Sequence, residues 1–143
     1  MASKWETALA ALASVLAAIP GPEFARNDPS EREVPPGGRI DLSDGDLAEP
    51  EVYLSPLSYG HTANAEIVAM VQAADAAERD AALDALVLKI EAAVSADETL
   101  GGTVESVNLG SPERLTEPAE EGKPIKGARI VCALEFISDS PLG

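Results

Sequence analysis

The chain has 143 residues, which suits one domain with a single core, because chains of this length bury roughly two thirds of their unfolded surface. Hydrophobic residues make up 45% of it and aromatic residues only 3%, so the predicted core is built from Ala, Leu, Val and Ile. The formal net charge is -15 and no segment is basic. This excludes proteins that grip DNA or an anionic membrane surface, since such binding depends on Lys and Arg.

Residues 3–19 are predicted to form an amphipathic helix. Ser3 followed by Glu6 is a capping box, and the sequence PGP at residues 20–22 ends the helix. Its apolar stripe covers the domain's own sheet or meets a neighbouring subunit, and the sequence leaves both readings open. The stripe consists of Trp5, Ala8, Leu9, Leu12, Leu16 and Ile19.

The same helix could be mistaken for a targeting segment. Trp5 and Glu6 stand where a secretory signal has its positive region, and Ala dominates where Leu usually does. No run approaches the roughly 20 consecutive apolar residues of a membrane span. We therefore expect no signal peptide and no membrane association.

Residues 24–72 are predicted to contain three or four strands. The runs EFARN and RIDLS are short extended segments, separated by a charged loop rich in Pro and Gly over residues 28–38. The Asp-Gly pair at residues 44–45 then favours a tight hairpin turn.

The next strand is predicted at residues 52–55 and is interrupted by Pro56, which suits a bend or a sheet edge. From His61 to Gln72 one set of alternate residues is apolar throughout, and the other set becomes apolar after Glu66. A strand that is apolar on both faces is predicted to lie in the middle of the sheet.

A second helix is predicted over residues 75–96. Asp75 followed by Glu78 is an N-terminal cap, and the glycines at the end of residues 97–102 allow the positive φ that closes a helix. Its apolar residues recur at helical spacing, as expected for a helix lying on a sheet. They are Leu83, Leu86, Val87, Ile90 and Val94.

Two further strands are predicted over residues 103–109 and 128–137, joined by a long, acidic, proline-rich loop over residues 110–127. The second strand points Ala128, Ile130, Cys132, Leu134 and Phe136 inward. The element order predicts a single-domain α+β fold: a mainly antiparallel or mixed sheet of about four to six strands, packed by two amphipathic helices.

The sequence contains the residue types of one possible catalytic arrangement. His61 would be the general base, Ser55 or Ser58 the nucleophile, and Asp44 or Asp46 the orienting acid of a small hydrolase or transferase. The glycine-flanked serine elbow of such enzymes is missing from the sequence. We therefore expect His61 to be a rim residue at the start of a strand and the protein not to be an enzyme.

Metal and cofactor motifs do not fit either. The acids in DLSDGDLAEPE stand at positions 1, 4, 6, 9 and 11, whereas an EF-hand needs oxygens at 1, 3, 5 and 12. The Gly-Lys before Pro124 lacks the other residues of a phosphate loop, and the one cysteine, Cys132, reads as a buried apolar residue. No cofactor and no metal is predicted, and a loose Mg²⁺ or Ca²⁺ site between subunits stays open.

Several segments, taken in order, carry a resemblance. They are AIPG after the first helix, RND at residues 26–28, PPGGRIDLSDGDLAEPEVYLSPLSYGHTANAEIVAMVQ, RDAALDALVLKIEAAVSADETLGG and the closing apolar strand. Together they resemble the tail terminator (tail completion) proteins of long-tailed phages and gene transfer agents, similar in role to minor tail protein U of lambdoid phages. The resemblance spans about residues 5–137, and the acidic insertion TEPAEEGKP is its unmatched part.

The resemblance implies a virion protein without enzymatic activity, assembled in the host cytoplasm. Such subunits form a ring, sixfold in this family, at the head-proximal end of the tail tube. The ring stops tube polymerisation and offers a surface for head attachment. Its implied partners are copies of itself, the tail tube protein and the head-closure or connector protein, while DNA passes through without specific binding.

A closed ring needs two different surfaces on each subunit. The hairpin turn near residues 56–61 and the loop over residues 110–127 are the backbone-rich segments able to pair with neighbours. The predicted interface residues are Pro56, Tyr59, His61, Arg114, Glu117, Glu120, Glu121 and Lys123. The alternatives are a head-closure or connector subunit and a monomeric cytoplasmic adaptor, besides the enzyme that uses His61.

Overall fold

The computed structural model describes residues 2–28, 33–117 and 123–143. In chain order, its elements are helix α1 (Lys4–Ala17), strands β1 (Glu23–Arg26), β2 (Arg39–Leu47), β3 (Glu51–Leu54) and β4 (Leu57–Gln72), helix α2 (Ala76–Ser95), and strands β5 (Ser106–Leu109), β6 (Glu113–Glu117) and β7 (Ile125–Ser138). This confirms the α+β fold with one sheet and two helices. The described residues form seven strands instead of the expected four to six.

The long strands β4 and β7 form the centre of the sheet. The order across the sheet is β1-β2-β4-β7-β5, and every pair is antiparallel except β1 with β2. The alternation after His61 thus correctly predicted a central strand.

Two of the shorter strands extend a neighbour along the same edge. β3 pairs with the first four residues of β4, two of which also pair with β7, so β3 lies on the β2 side of β4. β6 in the same way follows β5 along the outer edge of β7. The β2–β3 and β5–β6 segments therefore form opposite sides of the sheet.

The core lies between the helices and one face of the sheet. Alternate residues of β4 and β7 point to that face, because side chains two apart on a strand share a face. They include Ala63, Ala65, Ile67, Ala69, Ala128, Ile130, Cys132 and Leu134, each at most 3% exposed. The predicted inward residues of β7 are confirmed, Phe136 among them.

Both helices begin at the predicted caps and bury the predicted stripes. The side chains of Ser3 and Asp75 accept hydrogen bonds from the backbone N–H groups of Glu6 and Glu78. The α1 stripe packs on the domain's own sheet, with Ala8, Leu9, Leu12 and Leu16 buried and Trp5 partly buried. Burial of each leucine contributes about 1.5–3 kcal/mol, so this covering stabilises the sheet.

The predicted hairpin turn at the Asp-Gly pair is wrong. β2 continues through residues 44–47 and changes register against β4 between Asp44 and Leu47. A Cβ on Gly45 would lie 2.5 Å from the carbonyl oxygen of Asn64. Glycine is therefore needed for a close approach of two backbones at this irregularity, and not for a turn.

The predicted loop over residues 110–127 also needs correction. It contains β6, which pairs with residues 125–129 at the start of β7. The segment is short and rich in charged residues, so its sequence shows no pattern that predicts a strand. It becomes a strand because the long β7 offers it an edge to pair with. The strand predicted over residues 103–109 is shorter, since β5 begins at Ser106.

Arg26 joins the first helix to the sheet edge. Its Nη1 and Nη2 donate to the two carboxylate oxygens of Glu6 at 2.9 and 3.1 Å, and its Nε donates to Asp44 Oδ1 at 3.3 Å. The hydrogen bonds from Arg26 lower the pKa of Glu6. Two-point pairing of this kind is stronger than a single surface contact.

Replacing Arg26 by Met is expected to lower the free energy of unfolding by about 1 kcal/mol at neutral pH. Because the pKa of Glu6 is lower in the folded state, this stabilisation is present above the unfolded value of 4.5 and is lost as the pH falls through the folded value. Urea unfolding of both proteins across that range measures the difference. A Glu6→Gln/Arg26→Met double-mutant cycle isolates the pair, and a pH-independent coupling energy would contradict the assignment.

Candidate functional site: an exposed hairpin and an open edge groove

The β3–β4 hairpin projects past the end of the sheet. β7 ends at Ser138, which pairs with Tyr59, so residues 53–58 extend beyond it with the Ser55–Pro56 turn at the tip. The overhang is about two residues per strand, or roughly 7 Å. An isolated two-stranded hairpin is marginally stable in water, so a segment of this kind gains most from a partner that covers it.

One face of this hairpin is apolar. Leu54 lies opposite Leu57 and Val52 opposite Tyr59, and directly opposed residues share a face. We call these four residues the apolar hairpin face; Val52, Leu54 and Leu57 are 55%, 80% and 56% exposed. Leu57 and Tyr59 continue the two-residue period of the buried side chains of β4, so the face extends the core pattern beyond the part that the helices cover.

A second surface that could bind a partner lies at the opposite side of the sheet. β5 and β6 form the outer edge there, and nothing in the described part of the chain pairs with that edge. Between this edge and α2 lies an open groove of about 340 Å³, which we call the edge groove. It is lined by Val87, Glu91, Val94, Ser95, Glu98, Val107, Leu109, Gly110, Pro112 and Ile130.

The sheet face opposite the helices carries exposed apolar and charged side chains together. Val131 and Ile137 are 47% and 38% exposed. Arg129 lies between Glu66 and Glu113, with its Nε 3.7 and 4.0 Å from their carboxylate oxygens. These separations are too long for good hydrogen bonds, so the guanidinium is held loosely and remains able to meet a partner.

Near the hairpin this open face ends in an acidic cleft. The cleft has a volume of about 260 Å³, and its carboxylates come from Glu49, Glu51, Glu105 and Glu135. Tyr53 donates its hydroxyl to Glu51 at 2.9 Å. That hydrogen bond raises the pKa of Tyr53, and the negative charges of the cleft raise it further.

The four carboxylates of the acidic cleft make it a region of negative potential on the surface. Among residues 2–28, 33–117 and 123–143, no group of three or more His, Cys, Asp or Glu side chains is placed to hold a metal ion.

His61 is a core residue, and the expected rim position is wrong. It is 2% exposed and stacks on Phe136 with ring centroids 5.2 Å apart. Its Nε2 donates to the carbonyl oxygen of Ser140 at 2.8 Å, since a carbonyl can only accept. The sequence pattern gave no sign that residues 138–140 cover the ring at this end of the core.

The proposed catalytic residues are not assembled around His61. Ser55 lies in the hairpin turn and Ser58 pairs with Tyr53, while Asp44 accepts from Arg26. In the described residues, the His61 ring is hydrogen-bonded to Ser138 and Ser140, and its Nδ1 is buried without a partner. The hydroxyl of Ser138 donates to the Ser140 carbonyl at 2.9 Å, which directs its proton away from the imidazole.

Cys132 is buried, and its surroundings oppose ionisation. Burial raises the pKa of its thiol to about 12. The thiolate is the reactive form of cysteine, so this thiol is structural at ordinary pH.

No helix in the described ranges is long and apolar enough to cross a membrane.

The predicted interface residues fall into two groups at opposite ends of the β4–β7 pair. Pro56 lies at the exposed hairpin tip and Tyr59 on the apolar hairpin face, whereas His61 is buried. Arg114 is exposed in β6, and its Nη2 lies 3.9 Å from Asp84 Oδ1. Lys123 is exposed just before β7. Glu117 ends β6; Glu120 and Glu121 lie outside the described residues.

Sequence reasoning missed Val52, Leu54 and Leu57 as candidate contact residues. A signal was present, because the alternation of apolar residues after His61 continues backwards through Tyr59 to Leu57. The edge groove had no signal, since its residues come from α2, β5 and β7 and meet only in the folded chain.

No protein-family model matches the chain, and no curated protein matches it. Among solved structures, a chain described as "Virion of native gene transfer agent (GTA) particle" is similar to this one. The match covers 89% of this chain and 93% of that chain, with 13% sequence identity and a TM-score of 0.37. At this TM-score the likeness carries no conclusion about function.

Proposed function

We propose that this protein is a structural virion subunit that forms a ring at the head-proximal end of a phage tail tube, where it stops tube polymerisation and offers the head-attachment surface. The observation that carries the proposal is the apolar hairpin face. A highly acidic chain that exposes three large aliphatic side chains on a projecting hairpin is built to be covered by another protein.

The segments that carry the family resemblance map onto the two surfaces that could bind a partner. DGDLAEPEVYLSPLSYGHTANAE forms the end of β2, all of β3 and the start of β4, and so includes the whole hairpin. RDAALDALVLKIEAAVSADETLGG forms most of α2, which is one wall of the edge groove. The resembling residues therefore include the whole hairpin and the α2 wall of the edge groove.

The charge of the chain suits a ring through which DNA moves. Phosphates bind proteins through Lys and Arg, and each neutralised phosphate releases counterions and adds affinity. A subunit with a net charge of -15 and four carboxylates in one cleft repels the phosphates of DNA and offers few cationic side chains to bind them. We propose that DNA passes this ring without specific binding, as its electrostatics favour.

The proposal assigns no catalytic residue. His61 is held in the core by Ser138 and Ser140, and the two serines predicted as nucleophiles, Ser55 and Ser58, lie in the hairpin. The geometry thus supports a subunit that works by its shape and its contacts.

Electron microscopy of tail tubes incubated with the purified protein tests the proposal. We expect a thin cap at one end of each tube and an arrest of further elongation, while tubes without the protein stay uncapped and keep growing. Loss of the gene should give tails of excessive and variable length. Binding along the tube wall, or to the portal and not to the tube end, would overturn the proposed role; the second outcome would identify a connector subunit.

A further inference from the structure

We infer that the apolar hairpin face of one copy docks into the edge groove of a second copy. The inference rests on the proposed ring and deepens it, because it names the two surfaces that meet. A ring requires heterologous contacts, in which each subunit offers two different surfaces. The hairpin and the groove are two such surfaces, and they lie on opposite sides of one sheet.

The chemistry of the two surfaces matches. The groove walls include Val87, Val94, Val107 and Leu109, so aliphatic side chains entering it leave water for an apolar surface. Its volume of about 340 Å³ can take more than one such side chain. Leu54 and Leu57 face each other across the hairpin turn and would enter together.

The backbones can pair as well. β3 pairs with β4 along one edge, and its other edge is unpaired in the described part of the chain, as is the outer edge of β5. Adding β3 of one copy alongside β5 of the next would satisfy both edges by strand addition. Val52 and Leu54 are two residues apart, so both can then point to the face that α2 covers.

Charge favours one orientation of the hairpin. Glu49 precedes β3 and Glu51 begins it, so both lie at the end of the hairpin away from its turn, where they line the acidic cleft. Arg114 follows Pro112 of the groove by two residues, is 53% exposed and, within the described residues, has its Nη2 3.9 Å from Asp84 Oδ1. The acidic end of the hairpin therefore pairs best when it lies towards β6, away from Glu91 and Glu98 on the helix side.

A mixing experiment tests this inference. Leu54→Asp places a charge on the apolar hairpin face and leaves the edge groove intact. Ser95→Trp fills the edge groove from an exposed position and leaves the hairpin intact. Sedimentation velocity is run at high protein concentration and about 0.5 M salt, which screens repulsion between the acidic copies. Wild type should form a closed multimer, each variant alone should associate at least about 30-fold more weakly, and their mixture should give a one-to-one dimer and nothing larger.

The dimer is the decisive product. If the hairpin binds the groove, a mixed pair has one intact hairpin, from Ser95→Trp, and one intact groove, from Leu54→Asp, so it can form one contact and no more. Circular dichroism confirms that both variants are folded, and Leu142→Asp serves as a matched surface control, since Leu142 is 79% exposed. Normal multimers of either variant, a mixture without the dimer, or a wild type that stays monomeric would overturn the inference. Tube capping is scored separately with the wild-type protein. If the variant mixture gives the dimer but wild type leaves tubes uncapped, this inference stands and the proposed function fails.

Discussion

Replacing Leu54 by Asp is expected to abolish capping of tail tubes while it changes the free energy of unfolding by less than about 0.5 kcal/mol. Leu54 is 80% exposed, so the fold does not depend on it. A buried interface residue of this kind contributes about 2 kcal/mol or more to a contact, and a charge placed there adds a desolvation penalty. Because every contact in a ring uses the same residue, the loss is repeated around the ring.

The matched control for this prediction is Leu142→Asp. Leu142 is equally exposed but lies near the end of the chain, outside the apolar hairpin face and the edge groove. It should cap tubes like wild type, as counted by electron microscopy. A Leu54→Asp protein that caps tubes as well as the control would show that the hairpin is not a contact surface.

Replacing His61 by Ala is expected to lower the free energy of unfolding by about 2–4 kcal/mol. The change removes a buried ring that stacks on Phe136 and leaves a cavity. It also removes the donor that holds the Ser140 carbonyl over the end of the core. Chemical denaturation measures the loss, which should be accompanied by faster hydrogen exchange of residues 140–143.

Two further variants separate the contributions at His61. His61→Phe keeps a ring but removes the donor, so it should lose less stability than His61→Ala. Thr62→Ala, on the opposite face of the same strand, should stay within about 1 kcal/mol of wild type. A loss of less than about 1 kcal/mol in His61→Ala would contradict the structural role assigned here.

The elements that could be predicted from sequence are those whose own pattern decides their structure. α2 has an N-terminal cap at Asp75 and an apolar residue at every helical turn, and both were enough to place it within a residue at each end. β4 alternates over many residues, so its place in the middle of the sheet was predicted, and the inward residues of β7 were predicted one by one. In these segments local preference and tertiary packing favour the same structure.

The elements that were missed depend on contacts made far along the chain. β6 is a strand because the long β7 offers it an edge, and its own residues, ERLTE, have no strand pattern. The pair Asp44–Gly45 has strong turn propensity, yet Arg26 and Asn27 bind this segment and hold it beside β4. Propensity is overruled wherever such contacts satisfy the backbone better than the local turn.

The candidate site could be predicted only as a set of interface residues, and that role stays a prediction. The structure places Pro56 and Arg114, two members of the set, at exposed positions. His61 was misplaced because burial depends on what covers a residue, and the covering segment lies 77 residues further along the chain. The groove could not be foreseen, since no short stretch of sequence contains it.

The low reactivity of Cys132 has a practical consequence for following assembly. Since burial raises the pKa of this thiol to about 12, maleimide dyes at neutral pH will leave it untouched in the folded protein. A single cysteine introduced at Pro56 can then carry one fluorophore without removal of the native one. Energy transfer between donor- and acceptor-labelled copies would report the spacing of neighbouring hairpin tips in the proposed ring.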